Sequence, residues 1–334
     1  MKRIHVYITI AASFLCFASQ AQDPHFSQYF ASPFTINPAL TGKGVSDWRA
    51  AGMFRSQWWG AYSEPYNTTT VSIEKGISTG EMQKSTLGIG FSFMSDASNG
   101  GLLKNNYAGL HLAYNLALDG EGREQLGIGI TGTYANRLLN LNMFDYQSQF
   151  GSMGFQRSAP SNDMPVIDKV NYIDFNTGIT YSKRGDAMGY HFGAALFHAS
   201  RPVQGVFKNS NYSLETRYSL QAGTQLYSKN GNELHLSGLL DIQGKNKVVT
   251  LGAVYKIKTH DDTVESVNVG MWKRFGDAYY PYVALESRNW LVGASYDFVT
   301  SSLNDSYNSV QSMELSFVYL FGKKKTENTG VVRY

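Results

Sequence analysis

Apolar and polar positions alternate with a period of two along most of this chain. In LGIGFSFM, Leu87, Ile89, Phe91 and Phe93 form one row, and Gly88, Gly90 and Ser92 the other. YAGLHLAYNLAL sets Leu110, Leu112, Tyr114, Leu116 and Leu118 against Gly109, His111, Ala113 and Asn115. LGIGITGTY repeats the pattern with Leu126, Ile128, Ile130 and Tyr134, and MELSFVYLF with Met313, Leu315, Phe317, Tyr319 and Phe321. A period of two predicts strands with unlike faces. The segments number about fourteen, an even count of the kind membrane barrels use. Their centres fall near residues 52, 71, 90, 112, 130, 176, 193, 220, 236, 251, 270, 283, 294 and 317.

The second face decides between architectures. A secreted sandwich buries its apolar face and wets a charged one. Here the second row is Gly, Ala, Ser and Thr with isolated ionisable residues: Arg55, Glu74, Asp174, Arg217, Asp297 and Glu314. A lipid-facing apolar row beside a small or polar lumen row is the pattern of an outer-membrane barrel. Connections agree with it. DGEGRE (119–124), SKRGDA (182–187), YSKNGN (227–232) and ESRN (286–289) follow even-numbered strands, where short periplasmic turns belong. The longest connection, 137–170, follows the fifth strand, and 199–213 and 299–311 also lie on that outer side. Trp48, Trp58, Trp59, Tyr279, Tyr280, Tyr282 and Trp290 cluster at segment ends, as interfacial girdles require. The fold read from these patterns is all-β: a single transmembrane antiparallel β-barrel of about 14 strands, preceded by an extended N-terminal segment. No segment after the first 21 residues has 18 consecutive apolar residues, so helical spans are not predicted.

Residues 1–21 read as a signal peptide, with Lys2 and Arg3 first, an apolar centre from Ile4 to Ala18, and a small-x-small site at Ser19-Gln20-Ala21. Cys16 follows Leu15, where lipoprotein processing needs a small residue, so acylation is not predicted. The one cysteine then leaves with the leader, which excludes disulfides and thiolate metal sites. Residues 22–46 form the extended segment, 47–322 the barrel and 323–334 a periplasmic tail. In the segment, QDPHFSQYFASPFTINPALTG, Pro24, Pro33 and Pro38 break any helix or central strand, and neither period is present.

Composition narrows the function classes. Charged residues are 16% against about 25% in soluble domains. A net charge of +3 over 334 residues leaves no basic face for nucleic acid. Aromatics reach 14%, with 22 Tyr and 19 Phe. GIGITG (127–132) matches a dinucleotide fingerprint but lies within an alternating strand rather than between strand and helix. Ser72-Ile73-Glu74-Lys75 matches S-x-x-K without a helix or partner motifs. His111, His191, His198 and His235 are scattered, with no hydrolase cluster, and the carboxylates of THDD (259–262) read as solvated turn residues. No catalytic, cofactor or metal residues are predicted.

The opening motif carries a family resemblance. Gln22, Asp23, Pro24, Phe26, Ser27, Gln28, Tyr29, Pro33, Asn37, Pro38, Ala39 and Gly42 resemble the mature N-terminus of the PorP/SprF family of Bacteroidetes outer-membrane proteins. FRSQW (54–58), HASRP (198–202), RYSLQAG (217–223), YDF (296–298) and the VVRY tail (331–334) extend the match. The tail lacks the Cys-Pro that many relatives place before the final Arg-aromatic pair. The resemblance implies a non-enzymatic barrel of the fatty-acid-transporter type in the outer membrane, serving type IX secretion and gliding. Its implied partners are outer-membrane lipids, secreted proteins with a C-terminal sorting domain (type B adhesins), and periplasmic ring components.

Two readings stand for the segment that contains Phe34 and its neighbours: a lumen plug, or a docking element for partners. Three functions stand for the whole chain. They are a secretion component, a channel for hydrophobic or small solutes, and a barrel enzyme. Two placements are also expected. The 137–170 loop faces outward, exposing MFDYQSQFGSMGFQ (143–156) to cargo. The segment is ordered at the periplasmic rim, with Asp23 near Lys323-Lys324-Lys325 in an exposed pair worth at most about 1 kcal/mol.

Overall fold

A computed structural model of the chain describes residues 23–45, 47–59, 64–79, 84–160, 168–205, 212–261, 263–301 and 310–322. The leader, Gln22 and the tail with Lys323–Lys325 lie outside them. The first five strands are β1 (Trp48–Trp59), β2 (Tyr66–Thr79), β3 (Ser85–Ser98), β4 (Leu103–Ala117) and β5 (Glu124–Leu139). A two-residue hairpin, β6 (Phe150–Gly151) and β7 (Gly154–Phe155), decorates the following loop. Then come β8 (Lys169–Arg184), β9 (Met188–Phe197), β10 (Arg217–Tyr227), β11 (Glu233–Gln243) and β12 (Asn246–Lys258). The last four are β13 (Ser266–Arg274), β14 (Ala278–Glu286), β15 (Trp290–Val299) and β16 (Gln311–Phe321).

All strands except the small hairpin pair with their chain neighbours, and β1 closes on β16, giving a 14-stranded antiparallel barrel. Each centre expected from the alternation falls inside its strand. Closure removes every open edge, which lipid requires because it offers backbone groups no partner. The apolar row faces outward: Leu110 is 68% exposed, Ile130 60% and Phe175 57%. These exposures mark the lipid-facing surface. No helix among the described residues is long and apolar enough to cross a membrane.

Trp48 pairs with Phe321, so the chain enters and leaves the barrel at one rim. By the barrel rule this rim faces the periplasm. Loop lengths follow that orientation only in part. Connection 140–168 is the longest, yet 244–245 and 275–277 on the same outer end are short. Strands differ in length too: β5 and β8 have 16 residues, β13 and β14 nine.

The girdle expectation needs correction. Tyr279 and Trp48 point outward, but Tyr280 and Tyr282 are 1% exposed and face the lumen. Parity explains this. Both lie on the same row of β14 as Glu286, a row that also carries Ala278 and Ala284. Trp58 occupies a bulge at φ 65°, where the register of β1 on β16 shifts, and Trp290 lies at the periplasmic rim.

The segment before β1 also departs from expectation. It coils through three 3-10 turns, Tyr29–Ala31, Pro33–Thr35 and Pro38–Leu40, rather than running extended. Pro33 and Pro38 open the second and third turns, where a fixed φ and a missing N–H cost nothing. It also does not stay at the periplasmic rim. Asp23 lies among His198, Gln243 and Arg217, at the outer ends of β9, β11 and β10. From there the chain descends the lumen to Gly42 and Val45, beside Gly76 and Gly88 at the periplasmic ends of β2 and β3.

Candidate functional site: a segment seated in the lumen

The residues that seat this segment come from the lumen row of nearly every strand. On one wall, Glu314 of β16 accepts the backbone N–H groups of Ser27 and Gln28, each at 2.7 Å, one on each carboxylate oxygen. Gln28 returns its amide to the Glu314 carbonyl at 2.9 Å and accepts from Ser316 Oγ at 2.6 Å. Arg55, paired across the barrel seam with Glu314, donates to the His25 carbonyl at 2.7 Å and to Asp297 at 3.0 Å. Ser27 Oγ donates to Asp297 at 2.8 Å, and Arg274 completes the cluster by a further pair to the same carboxylate. Arg55, Asp297 and Glu314 are each at most 2% exposed. Charges so buried persist only when paired and hydrogen-bonded, and here each has both.

Nearer the outer end, His198 stands between two carboxylates. Its Nδ1 lies 2.7 Å from Asp174 and its Nε2 2.7 Å from Asp23. Burial alone would lower the His198 pKa, but the Asp23 and Asp174 carboxylates outweigh it and raise the imidazole to about 9. Burial would raise Asp23, yet His198 and Arg217 hold it well below the usual carboxylate range. Arg217 also donates to the Thr35 carbonyl at 3.0 Å. Both nitrogens of His198 are occupied by carboxylates, an arrangement that ties the segment and leaves no nitrogen for a nucleophile. Asp23 is therefore a half-buried anchor tied to His198 and Arg217, while the lysines of the expected pair lie outside the described residues.

The opposite wall holds the segment by close approach. Asn37 caps the third turn through Oδ1 to Ala39 N at 2.9 Å, and its Nδ2 donates to the carbonyls of Ile179 and Ala194. Gly178 leaves the space that the Asn37 amide fills, and Gly129 the space of the Pro38–Ala39 backbone. A side chain at either position would overlap those atoms. Gly42 turns at φ 65° against Gly88, and its N–H donates to Glu74 at 2.7 Å. Arg49 bridges the other Glu74 oxygen and the Ala31 carbonyl. The glycines of GIGITG are thus divided between faces: Gly127 and Gly129 lie in the lumen row of β5, as its alternation requires.

Aromatic packing fills the remainder. Phe30 stacks on Trp272 at 5.7 Å between centroids and meets Tyr282 edge-on. Tyr29 packs edge-on to Trp272, with its hydroxyl 2.7 Å from Ser237. Phe34 stacks on His111 at 4.0 Å, and Phe26 is buried with Met53. Pro24 borders the outer cavity described below.

The structure thus brings the six lumen charges together with the segment: Arg55, Asp297 and Glu314 at Ser27–Gln28, Asp174 and Arg217 around Asp23, and Glu74 at Gly42. Sequence reading missed Arg49, Arg274 and Trp272. Strand parity with Arg55 marks Arg49 for the lumen, and the alternation of β13 does the same for Trp272 and Arg274. Other candidates stay apart. His191 and His235 lie on the lumen side near the periplasmic end, and Asp261 accepts the N–H groups of Thr263 and Val264, which lowers its pKa. In the outer loop, Met153 is 84% and Phe150 70% exposed.

The segment leaves a cavity of about 160 Å³ on its periplasmic side and one of about 100 Å³ on its outer side. A search among curated proteins gives no match. Among solved structures, the toluene transporter TbuX of Ralstonia pickettii superposes with a TM-score of 0.51 at 9% identity, over 87% of this chain and 94% of that one. The CymD monoaromatic hydrocarbon channel follows at TM-score 0.47 and 12% identity, covering 88% and 94%. A Pseudomonas aeruginosa FadL homologue gives 0.45 and 12%, covering 86% and 93%. The first likeness shows the outer-membrane barrel fold. Residues 18–319 match the model of the type IX secretion system membrane protein family PorP/SprF, and the chain belongs to that family.

Proposed function

We propose that this outer-membrane protein works as a closed barrel that holds an exported protein at its outer face. The cargo is a type IX substrate with a C-terminal sorting domain, of the type B adhesin class. The observation that supports this reading is the lumen itself: a 23-residue stretch, Asp23 to Val45, lies in it, fixed by buried ion pairs at one wall and backbone contact at the other. A barrel filled in this way suits a rigid docking platform. The exposed Phe150 and Met153 provide an adaptable apolar contact for cargo. The periplasmic rim, where the segment meets β1–β3, is the face available to ring components of the secretion machine.

A second reading is favoured by the two cavities flanking the segment, which would serve a channel for hydrophobic or small solutes once the segment moved. Replacing Phe26, Tyr29 and Phe34 together with Ser in the native bacterium distinguishes the two. The platform reading expects surface-retained adhesin to fall severalfold while barrel insertion persists. Normal adhesin display in this variant, with altered solute uptake, would favour the channel.

A further inference from the structure

The periplasmic-side cavity has features that holding cargo at the outer face does not explain. Its walls are mostly apolar, formed by Phe30, Ile36 and Leu40 of the segment with Leu291 and Val318 of the barrel, and Arg49, Glu74, His191, Gln221 and Glu286 also line it. Into this lining comes Lys43, which has no ion-pair partner among the described residues. The neighbouring carboxylates are already engaged: Glu74 by Arg49 and the Gly42 N–H, Glu286 by Lys256 at 2.8 Å. Two further polar atoms on the wall are buried without partners, Thr180 Oγ1 and His191 Nδ1, and Thr180 is only 2% exposed.

A largely apolar chamber whose lining carboxylates are already paired, with one uncompensated cation and an orphaned hydroxyl, calls for a ligand that carries one negative charge on an apolar body. A cavity of about 150 Å³ is large enough to hold benzene, and this one measures about 160 Å³. We propose that the cavity is a binding site for a small apolar monocarboxylate of about the size of benzoate. Its carboxylate would pair with Lys43, take a hydrogen bond from Thr180 Oγ1, and lay its apolar body against Phe30, Ile36 and Leu291. An anion also suits the half-buried Lys43, whose pKa the surrounding protein pulls down to about 8. Because Lys43 belongs to the segment, an occupant would tie the segment more firmly to the barrel. The inference is independent of the cargo-holding reading.

The test uses the full-length mature protein in lipid nanodiscs and equilibrium dialysis against labelled benzoate, benzyl alcohol and N-acetylphenylalaninate. Saturation near one benzoate per barrel is expected. Lys43→Met should weaken benzoate at least about tenfold while leaving benzyl alcohol within about twofold, since the ion pair alone is lost. Thr180→Val, close in shape, should weaken benzoate severalfold and serves as the second variant should Lys43→Met disturb the segment. Equal benzoate binding by the wild type and both variants overturns the site. Equal preference for benzyl alcohol and benzoate in the wild type overturns the role of Lys43. Tighter binding of N-acetylphenylalaninate than of benzoate assigns the cavity to a polypeptide end and overturns the small-ligand assignment.

Discussion

Two walls of the same lumen hold the same segment by different physics. The wall formed by β1, β13, β15 and β16 offers charge: Arg55, Arg274, Asp297 and Glu314 converge on Ser27 and Gln28. The wall formed by β3, β5 and β8 offers room: Gly88, Gly129 and Gly178 let the backbone of residues 37–42 lie directly on the strands. A charged seat is specific but costly to desolvate, and it fails as a unit when one partner is removed. A glycine seat costs little until something fills it. The difference teaches that complementary charge at one wall and vacant space at the other can fix the position of a plug that also buries Phe26, Tyr29, Phe34 and Ile36.

The largest break should come at the charged wall. Glu314→Ala removes the acceptor of two backbone N–H groups and leaves Arg55 with Asp297 alone, which should cost about 3–5 kcal/mol of segment seating. Hydrogen exchange of the peptide containing Ser27 and Gln28 measures it, and the loss of protection should be nearly complete. At the glycine wall, Gly129→Val drives a side chain into the Pro38–Ala39 backbone and should cost about 3 kcal/mol. Here protection should vanish first around residues 37–42, leaving the Ser27–Gln28 contacts comparatively intact. If both variants release the same residues in the same order, the two walls do not act separately.

A smaller effect is expected at the outer end, where Asp23→Asn should cost about 2 kcal/mol by weakening the contacts to His198 and Arg217. pH sharpens this prediction. Seating adds Asp23 to a His198 that already faces Asp174, and the two carboxylates together raise the imidazole to about 9, so the contribution of the Asp23 contact is lost as pH climbs through about 9. The Asp23 pKa is depressed, so its contribution is full above about 3.8 and lost as pH falls below that. The outer anchor should therefore weaken below about pH 4 and again as pH climbs through about 9, and Asp23→Asn should flatten the alkaline limb seen by exchange at residues 23–25. The smallest effect belongs to Tyr29→Phe, which forfeits one hydroxyl contact to Ser237 and should cost about 1 kcal/mol without changing the order of release.

The barrel was legible because a period of two, repeated over strands of nine to 16 residues, is a strong local signal. The lumen charges were legible for the same reason, since Glu314 and Arg55 stand on the small-residue row of their strands. Tyr280 and Tyr282 match interfacial residues by type alone, whereas their parity with Glu286 on β14 places them in the lumen. The course of the segment was not legible. Its prolines forbid a long helix but permit the 3-10 turns they begin, and nothing local to Asp23 indicates that His198, 175 residues away, is its partner. The glycine wall was visible as a composition and not as a seat, because the backbone it receives comes from a distant part of the chain.

Conductance of the purified barrel in a planar bilayer tests the central claim, that the segment from Asp23 to Val45 closes the lumen. The wild-type protein should insert and pass almost no ion current at neutral pH. The double variant Glu314→Ala with Gly129→Val, which undoes both walls, should insert equally well and open discrete conducting channels. A wild-type barrel that conducts as a steady open pore, or a double variant that stays closed, would contradict the account.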